Sequence, residues 1–320
     1  MKKAIVTTTI NSPTEALKKF AEIAIRDGWT MIIVGDVKTP YLEYQAFCEQ
    51  YEGAVTYMDL SEQKEISSEL DQLIGYSCIQ RRNFGLIKAY NDGAEIIATV
   101  DDDNIPYKNW GKNLSVGTDV KVNLYTTKSR VFDPLSPILP SLWHRGFPLQ
   151  LLGERTLSAP RPVDRRILVQ ADLWDGNPDV DAICRIALMP EVTFDRTMSK
   201  FMGNVAGPFN SQNTFLHRSV IADYFLFPEV GRMDDIFASY WLQARYPGQV
   251  CYAPASVYQA RNEHDLVKDL EAEMIGYKHS LAFFDWARDN ASQTIAADTW
   301  PEFFPRKSIK AFQVYRSLLK

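Results

Sequence analysis

Apolar positions in the first hundred residues follow two alternating rhythms. AIVTTTI (residues 4–10), TMIIVGD (30–36), GAVTYM (53–58) and AEIIATV (94–100) are short apolar runs rich in β-branched residues, the pattern of strands buried on both faces. After the first run, Ala16, Leu17, Phe20, Ile23 and Ala24 recur at helical spacing, with Pro13 and Thr14 where a helix starts. Residues 75–93 give a second helical pattern closed by Asn91-Asp92-Gly93, and no proline interrupts the chain between Pro40 and Pro106. This alternation predicts an α/β, Rossmann-like fold with a mostly parallel central sheet flanked by helices. Ligands in such sheets bind beyond the carboxyl ends of the strands.

The pattern then changes. Residues 133–162 carry six prolines and read as an irregular insertion. GRMDDIFASYWLQARY (231–246) reads as a loop entering a helix, and 265–288 is the longest helical pattern. The expected organisation is a catalytic core over 1–264 with a C-terminal helical elaboration over 265–320, packed on that core.

Composition removes several function classes. With 35 Lys and Arg against 40 Asp and Glu, the net charge of −5 gives no general reason to bind nucleic acid or an anionic membrane, although a local groove stays open. Cys48, Cys78, Cys184 and Cys251 lack metal-ligand or disulfide spacing. No run approaches the ~20 apolar residues of a membrane span, and Asn11-Ser12-Pro13 ends the opening apolar stretch early. A soluble, cytoplasmic protein is expected. The first strand is not followed by G-x-G-x-x-G, and there is no G-x-x-x-x-G-K-[ST], so dinucleotide and P-loop chemistry lose their main warrant.

The chemistry concentrates in ATVDDDNIP (98–106), where a strand delivers Asp101, Asp102 and Asp103 at its carboxyl end. On an extended chain Asp101 and Asp103 point the same way and Asp102 elsewhere. Adjacent carboxylates repel unless a cation compensates, and their oxygens suit Mn²⁺ or Mg²⁺ holding a phosphate-bearing substrate.

This triplet resembles the one that ends a strand in reversibly glycosylated polypeptides, a GT-A-type nucleotide-sugar family that includes UDP-arabinopyranose mutases. Arg145-Gly146-Phe147-Pro148 resembles its R-G-(Y/F)-P segment. Leu173-Trp174, Pro178-Asp179 and Asp181 match L-W-x-x-x-P-D-x-D. Ser211 to Arg218 approximates G-x-N-x-x-F-(D/H)-R, and Gly231-Arg232 with Asp234-Asp235 keeps G-R-x-D-D. The opening of the chain is more similar to STELLO-type glycosyltransferase-like proteins. Departures fall at Leu152, where the mutases carry a second arginine, and at Gln259, where they carry a histidine; Arg155 and His264 are the nearby replacements.

The resemblance implies a metal-dependent glycosyltransferase with a GT-A-like core. It would move a sugar from a nucleotide-diphosphate donor, UDP-linked, to a hydroxyl acceptor with inversion. A UDP-sugar pyranose/furanose mutase is the nearest alternative, and a non-catalytic sugar-nucleotide-binding or assembly protein is another; a homo-oligomer is compatible with each. Asp101 and Asp103, with His264, are the expected metal ligands, and Asp102 supports them. Asp235 is the expected base at a helix N-terminus, where negative charge is favoured, and Asp234 binds acceptor or sugar. Arg145, Arg81 and Arg82 offer planar donor forks to diphosphate. Asp179 and Asp181 would receive sugar hydroxyls, Trp174 would stack on sugar or base, and Asp36 would meet the nucleoside.

Overall fold

The first half of the chain builds four parallel strands. The computed structural model describes residues 1–51, 53–260, 265–291 and 299–320. Strands β1 (Lys3–Thr8), β2 (Trp29–Val34), β3 (Val55–Met58) and β4 (Ile96–Val100) lie in the order β3-β2-β1-β4. All five residues of β4 are buried, as strands covered on both faces require. Helix α1 (Glu15–Asp27) buries Ala16, Leu17, Phe20, Ala21, Ile23 and Ala24 on one face. Thr14 caps its start by accepting from the Leu17 N–H, and Gly28 ends it in the left-handed region at φ 69°. Helices α2 (Tyr41–Glu49), α3 (Leu60–Ile66), α4 (Ser68–Ile74) and α5 (Arg82–Asn91) complete this half. The helix expected over 75–93 is shorter at its start, because Gly75 at φ +79° closes α4 and the chain bends before α5 begins.

Beyond β4 the chain adds β5 (Asn104–Pro106), β6 (Asp119–Tyr125), β7 (Arg161–Arg166), β8 (Val169–Gly176), α6 (Ala182–Leu188), β9 (Phe201–Gly203), β10 (Asn213–His217), α7 (Asp234–Arg245) and β11 (Val250–Gln259). The sheet continues from β4 as β10-β8-β11-β9-β6-β7, with β5 on β11. From β3 across to β11 the strands run the same way except β10, which is antiparallel to both neighbours. This gives a mostly parallel centre with antiparallel pairs at the β5, β9 and β7 margins. Because Asn213 pairs with Val100, β10 starts beside the end of β4 and brings Ser211 and Gln212 to the carboxyl edge. The proline-rich segment holds only a short helical turn, Leu149–Glu154, before β7.

Helices α8 (Leu266–Asn290) and α9 (Arg306–Ser317) share the main hydrophobic core. Phe283 of α8 packs on Phe237 of α7 at 4.6 Å between ring centres, and Tyr315 of α9 packs on Phe225 at 5.0 Å. α9 covers α4, with Lys310 paired to Glu69, and the turn after α5 is tied to the chain end through Asn91 and the Leu318 carbonyl.

Candidate active site

The acidic triplet sits where β4 ends, but not as an extended chain. The Asn104 N–H turns back to the Asp101 carbonyl at 3.3 Å, so residues 101–103 form a turn and the alternation expected for Asp101 and Asp103 lapses. The Asp101 carboxylate faces the buried Arg82 guanidinium at 2.5 Å. Arg82 also donates to Thr8 Oγ1, to the Ser211 carbonyl at 2.7 Å and to Ser211 Oγ at 3.0 Å. One arginine from α5 thus fastens β1, β4 and the start of β10 together. Burial pushes the Asp101 carboxyl up, and Arg82 offsets only part of that rise. Asp102 turns towards β1, its Oδ2 accepting from Thr9 Oγ1 at 2.5 Å and Asn11 Nδ2 at 3.0 Å. The Asp103 carbonyl accepts from the Ala260 N–H beyond β11.

A second ionic group lies alongside. Arg145 is buried and donates through Nε to Asp179 at 2.8 Å and through both terminal nitrogens to Asp235 at 3.0 and 3.2 Å; it also donates to the Arg232 carbonyl. Asp235 further accepts from the Ser211 N–H at 2.9 Å, and Asp179 from Asn210 at 2.8 Å. Burial pushes Asp179 up, but Arg145 and then His144, 3.6 Å away, outweigh it and hold the carboxyl well below the usual range. Asp234 opens α7 and accepts from Gln80 Nε2 at 2.9 Å. Burial first, and the neighbouring Asp235 charge second, push it up to about 7. The Asp101–Arg82 pair and the Asp179–Arg145–Asp235 group, joined through Ser211, together with the nearby Asp234 place four carboxylates against two guanidiniums. That excess adds to the burial that raises the Asp234 carboxyl.

A cleft of about 310 Å³ opens on the same edge, lined by residues including Thr8, Thr9, Asn11, Asp36, Lys38 and Asp102. Asp36 lies here as expected, although its oxygens already accept from the Val37 and Cys78 N–H groups. Lys38 is exposed at the rim. Nothing in a lone lysine after an apolar strand marked it beforehand.

Other expected residues lie elsewhere or are differently employed. Arg81 is wholly buried beside α4, donating to Asp71, Gln63 and the Gly75 carbonyl, so it cannot meet a diphosphate. Arg82 and Arg145 are likewise engaged by protein acceptors. Asp181 caps α6 through the Cys184 N–H and accepts from Trp143 Nε1, and burial raises it to about 6. Trp174 is a core residue whose indole N–H donates to the Asn177 carbonyl. Arg155, the replacement guanidinium, is paired with Asp133 within the proline-rich segment. His264 lies outside the described residues. Ser211, Asn210, Gln80 and His144, none of them expected as site residues, supply the contacts that fix the carboxylates.

Mn²⁺ or Mg²⁺ needs several oxygen ligands at one point. Here Arg82 stands against Asp101, and Thr9 and Asn11 hold Asp102. Among the described residues no three His, Cys, Asp or Glu side chains converge on such a point. Among these residues the Arg82 guanidinium offsets the charge of the first aspartate. Among the described residues, no helix is long and apolar enough to cross a membrane.

No protein-family model matches the chain, and no curated protein matches it. Solved structures do. Glucosyl-3-phosphoglycerate synthase from Mycobacterium tuberculosis, in complex with phosphoglyceric acid, is 11% identical, with 90% of this chain and 80% of that one covered at a TM-score of 0.46. Residues 1–349 of S. aureus TarS, in complex with UDP-GlcNAc, are 10% identical, with coverage of 100% and 82% and a TM-score of 0.44. A mannosyltransferase from Pyrobaculum calidifontis, in complex with GDP-Man and Mn²⁺, is 13% identical, with coverage of 99% and 84% and a TM-score of 0.41. These likenesses are of chain architecture, and they assign this chain to no family.

Proposed function

We propose that this chain is a nucleotide-sugar glycosyltransferase that inverts the transferred sugar, with Asp234 rather than Asp235 as the general base. One observation carries the reading: a carboxyl raised to about 7 opens α7 at the same carboxyl sheet edge as a cleft lined by Asp36, Lys38 and Asp102. A base works best when its pKa lies near the operating pH, because it must be both unprotonated and able to take a proton. Asp235 lacks that freedom, since Arg145 and Ser211 already occupy its oxygens.

In this reading the nucleoside lies against Asp36, and the exposed Lys38 ammonium meets the diphosphate. Asp234 takes the proton of an acceptor hydroxyl as its oxygen attacks the anomeric carbon. The bond to the diphosphate breaks and the nucleotide leaves, UDP being the proposed one. Asp101–Arg82 and Asp179–Arg145–Asp235 form the fixed frame around the step. A ring-isomerising mutase is disfavoured because Arg145, its expected sugar-contacting residue, is spent on two carboxylates.

The test is incubation with a panel of UDP- and GDP-sugars, reading nucleotide release and sugar ring form separately, with and without Mn²⁺. Slow release by the wild type and its loss in Asp234→Asn are expected. Ring interconversion without release would select the mutase. Sugar-nucleotide binding with no turnover under any condition would overturn the proposal.

A further inference from the structure

We infer that Glu273, on α8, is a positioning residue that sets the place of the Arg145 guanidinium; its catalytic meaning rests on the function proposed above. Arg145 has acceptors on two separate loops. Asp179 comes from the loop between β8 and α6, whereas the Arg232 carbonyl and Asp235 come from the segment that opens α7. Glu273 bridges those same two loops. It is only 1% exposed, with Oε2 accepting from the Ala182 N–H at 2.7 Å and Oε1 from Arg232 Nε at 3.0 Å. Ala182 opens α6, shortly after Asp179, and Arg232 is the residue whose carbonyl receives Arg145.

The rest of the contact leaves the loop little room to move independently. Asp269 pairs with the Arg232 guanidinium at 3.2 Å, and Tyr277 donates to Glu273 at 2.7 Å. Gly231 lies at φ +58°, and a Cβ there would stand 2.0 Å from the Ala272 carbonyl of α8. One turn along, a Cβ on Gly276 would stand 2.3 Å from the Met233 side chain. The backbone before Asp234 therefore rests directly on α8. A buried carboxylate is costly unless its partners are fixed, and an apolar side chain could fill the same volume. What the carboxylate adds is direction, because it accepts from two loops along defined axes and so sets their separation.

Glu273→Gln keeps the size but turns an N–H₂ towards Arg232 Nε or towards the Ala182 N–H and the Tyr277 hydroxyl. The test follows the Arg145 Nε–H signal in ¹⁵N NMR spectra of the full chain, assigned by its disappearance in Arg145→Lys. The Arg81 Nε–H, which donates to buried Gln63, serves as the internal control. In Glu273→Gln, Arg145 exchange should quicken roughly tenfold or more while Arg81 exchange is unchanged. In the same variant, kcat for nucleotide release should fall roughly 10- to 100-fold with donor KM within about twofold, as expected when a reacting frame shifts but the donor still binds. Arg232→Lys, which keeps the charge but loses the fork, should act in the same direction, and it decides the matter if Glu273→Gln does not fold. Unchanged Arg145 exchange in the folded variants overturns the inference. So does equal quickening at Arg81, which marks a general loss of stability. A wild type without turnover would sink the function proposed above, while the exchange measurement still decides the role of Glu273.

Discussion

Replacing Asp234 by Asn separates what this residue does for the reaction from what it costs the fold. Burial beside Asp235 raises its carboxyl from an ordinary 3.8 to about 7. In the unfolded chain the group ionises near its ordinary value, so from there up to about pH 7 the folded state holds a proton that the unfolded state has lost. Wild-type stability from this group therefore falls as pH rises through that window, then stays level above it. At about 1.4 kcal/mol per pH unit, the gap between 3.8 and about 7 bounds the penalty at about 4 kcal/mol. Half of that bound, about 2 kcal/mol, is the expected net value at about pH 8. Asn carries no charge at any pH and can still accept from Gln80. The variant should therefore be more stable than wild type by that amount at about pH 8, with the difference shrinking towards about pH 4. Urea unfolding followed by tryptophan fluorescence at several pH values measures it. The same protein should lose about 10²- to 10⁴-fold in turnover, the usual worth of a positioned base. A variant no more stable than wild type at about pH 8 refutes the electrostatic argument. A more stable variant with full turnover refutes the base assignment alone.

Three further outcomes follow from the same geometry. Arg145→Met leaves Asp179 and Asp235 buried without their cation and should cost about 3–5 kcal/mol in denaturant unfolding near neutral pH. Because the Asp179 carboxyl is held low in the fold, its stabilising share is present above its unfolded pKa and lost as pH falls, so the gap between wild type and variant should narrow in acid. Arg81→Met should also destabilise by about 3–5 kcal/mol through stranded Asp71, yet leave UDP affinity measured by calorimetry unchanged. Lys38→Met should do the reverse: unchanged unfolding, UDP affinity lower by roughly tenfold, and a weaker salt dependence of binding, because an exposed ammonium acts through a screened charge.

The sequence made β1 to β4 readable because strands buried on both faces have nowhere to place polar side chains. It also located the acidic triplet at a sheet edge, since an apolar run ending in aspartates leaves few other arrangements. Helix α3 also carries a local signal, because Asp59 and Glu62 form a reciprocal capping box at its start. The roles within the site were harder to read. An arginine pair looks the same on a solvated face as in a core, yet Arg81 and Arg82 are both buried and serve different networks. The different surroundings of Asp234 and Asp235 depend on Arg145, 90 residues from Asp235 along the chain, and no local pattern carries that distance. Ser211 joins the two ionic pairs only because β10 runs against β4.

The covering of α4 by α9 bears on how the chain reaches this structure. Strands β1 to β4 and their helices have much of their pairing within the first hundred residues and can associate early during synthesis. Their outer layer cannot close then, because Leu70 and Ile74 belong to the same core cluster as Ile309 and Phe312. Until α9 is made, that face stays open to water and to other nascent chains. A chain cut before α9 should therefore collect as aggregate rather than as a smaller soluble fold, with docking of α9 as the step that closes the exposed face.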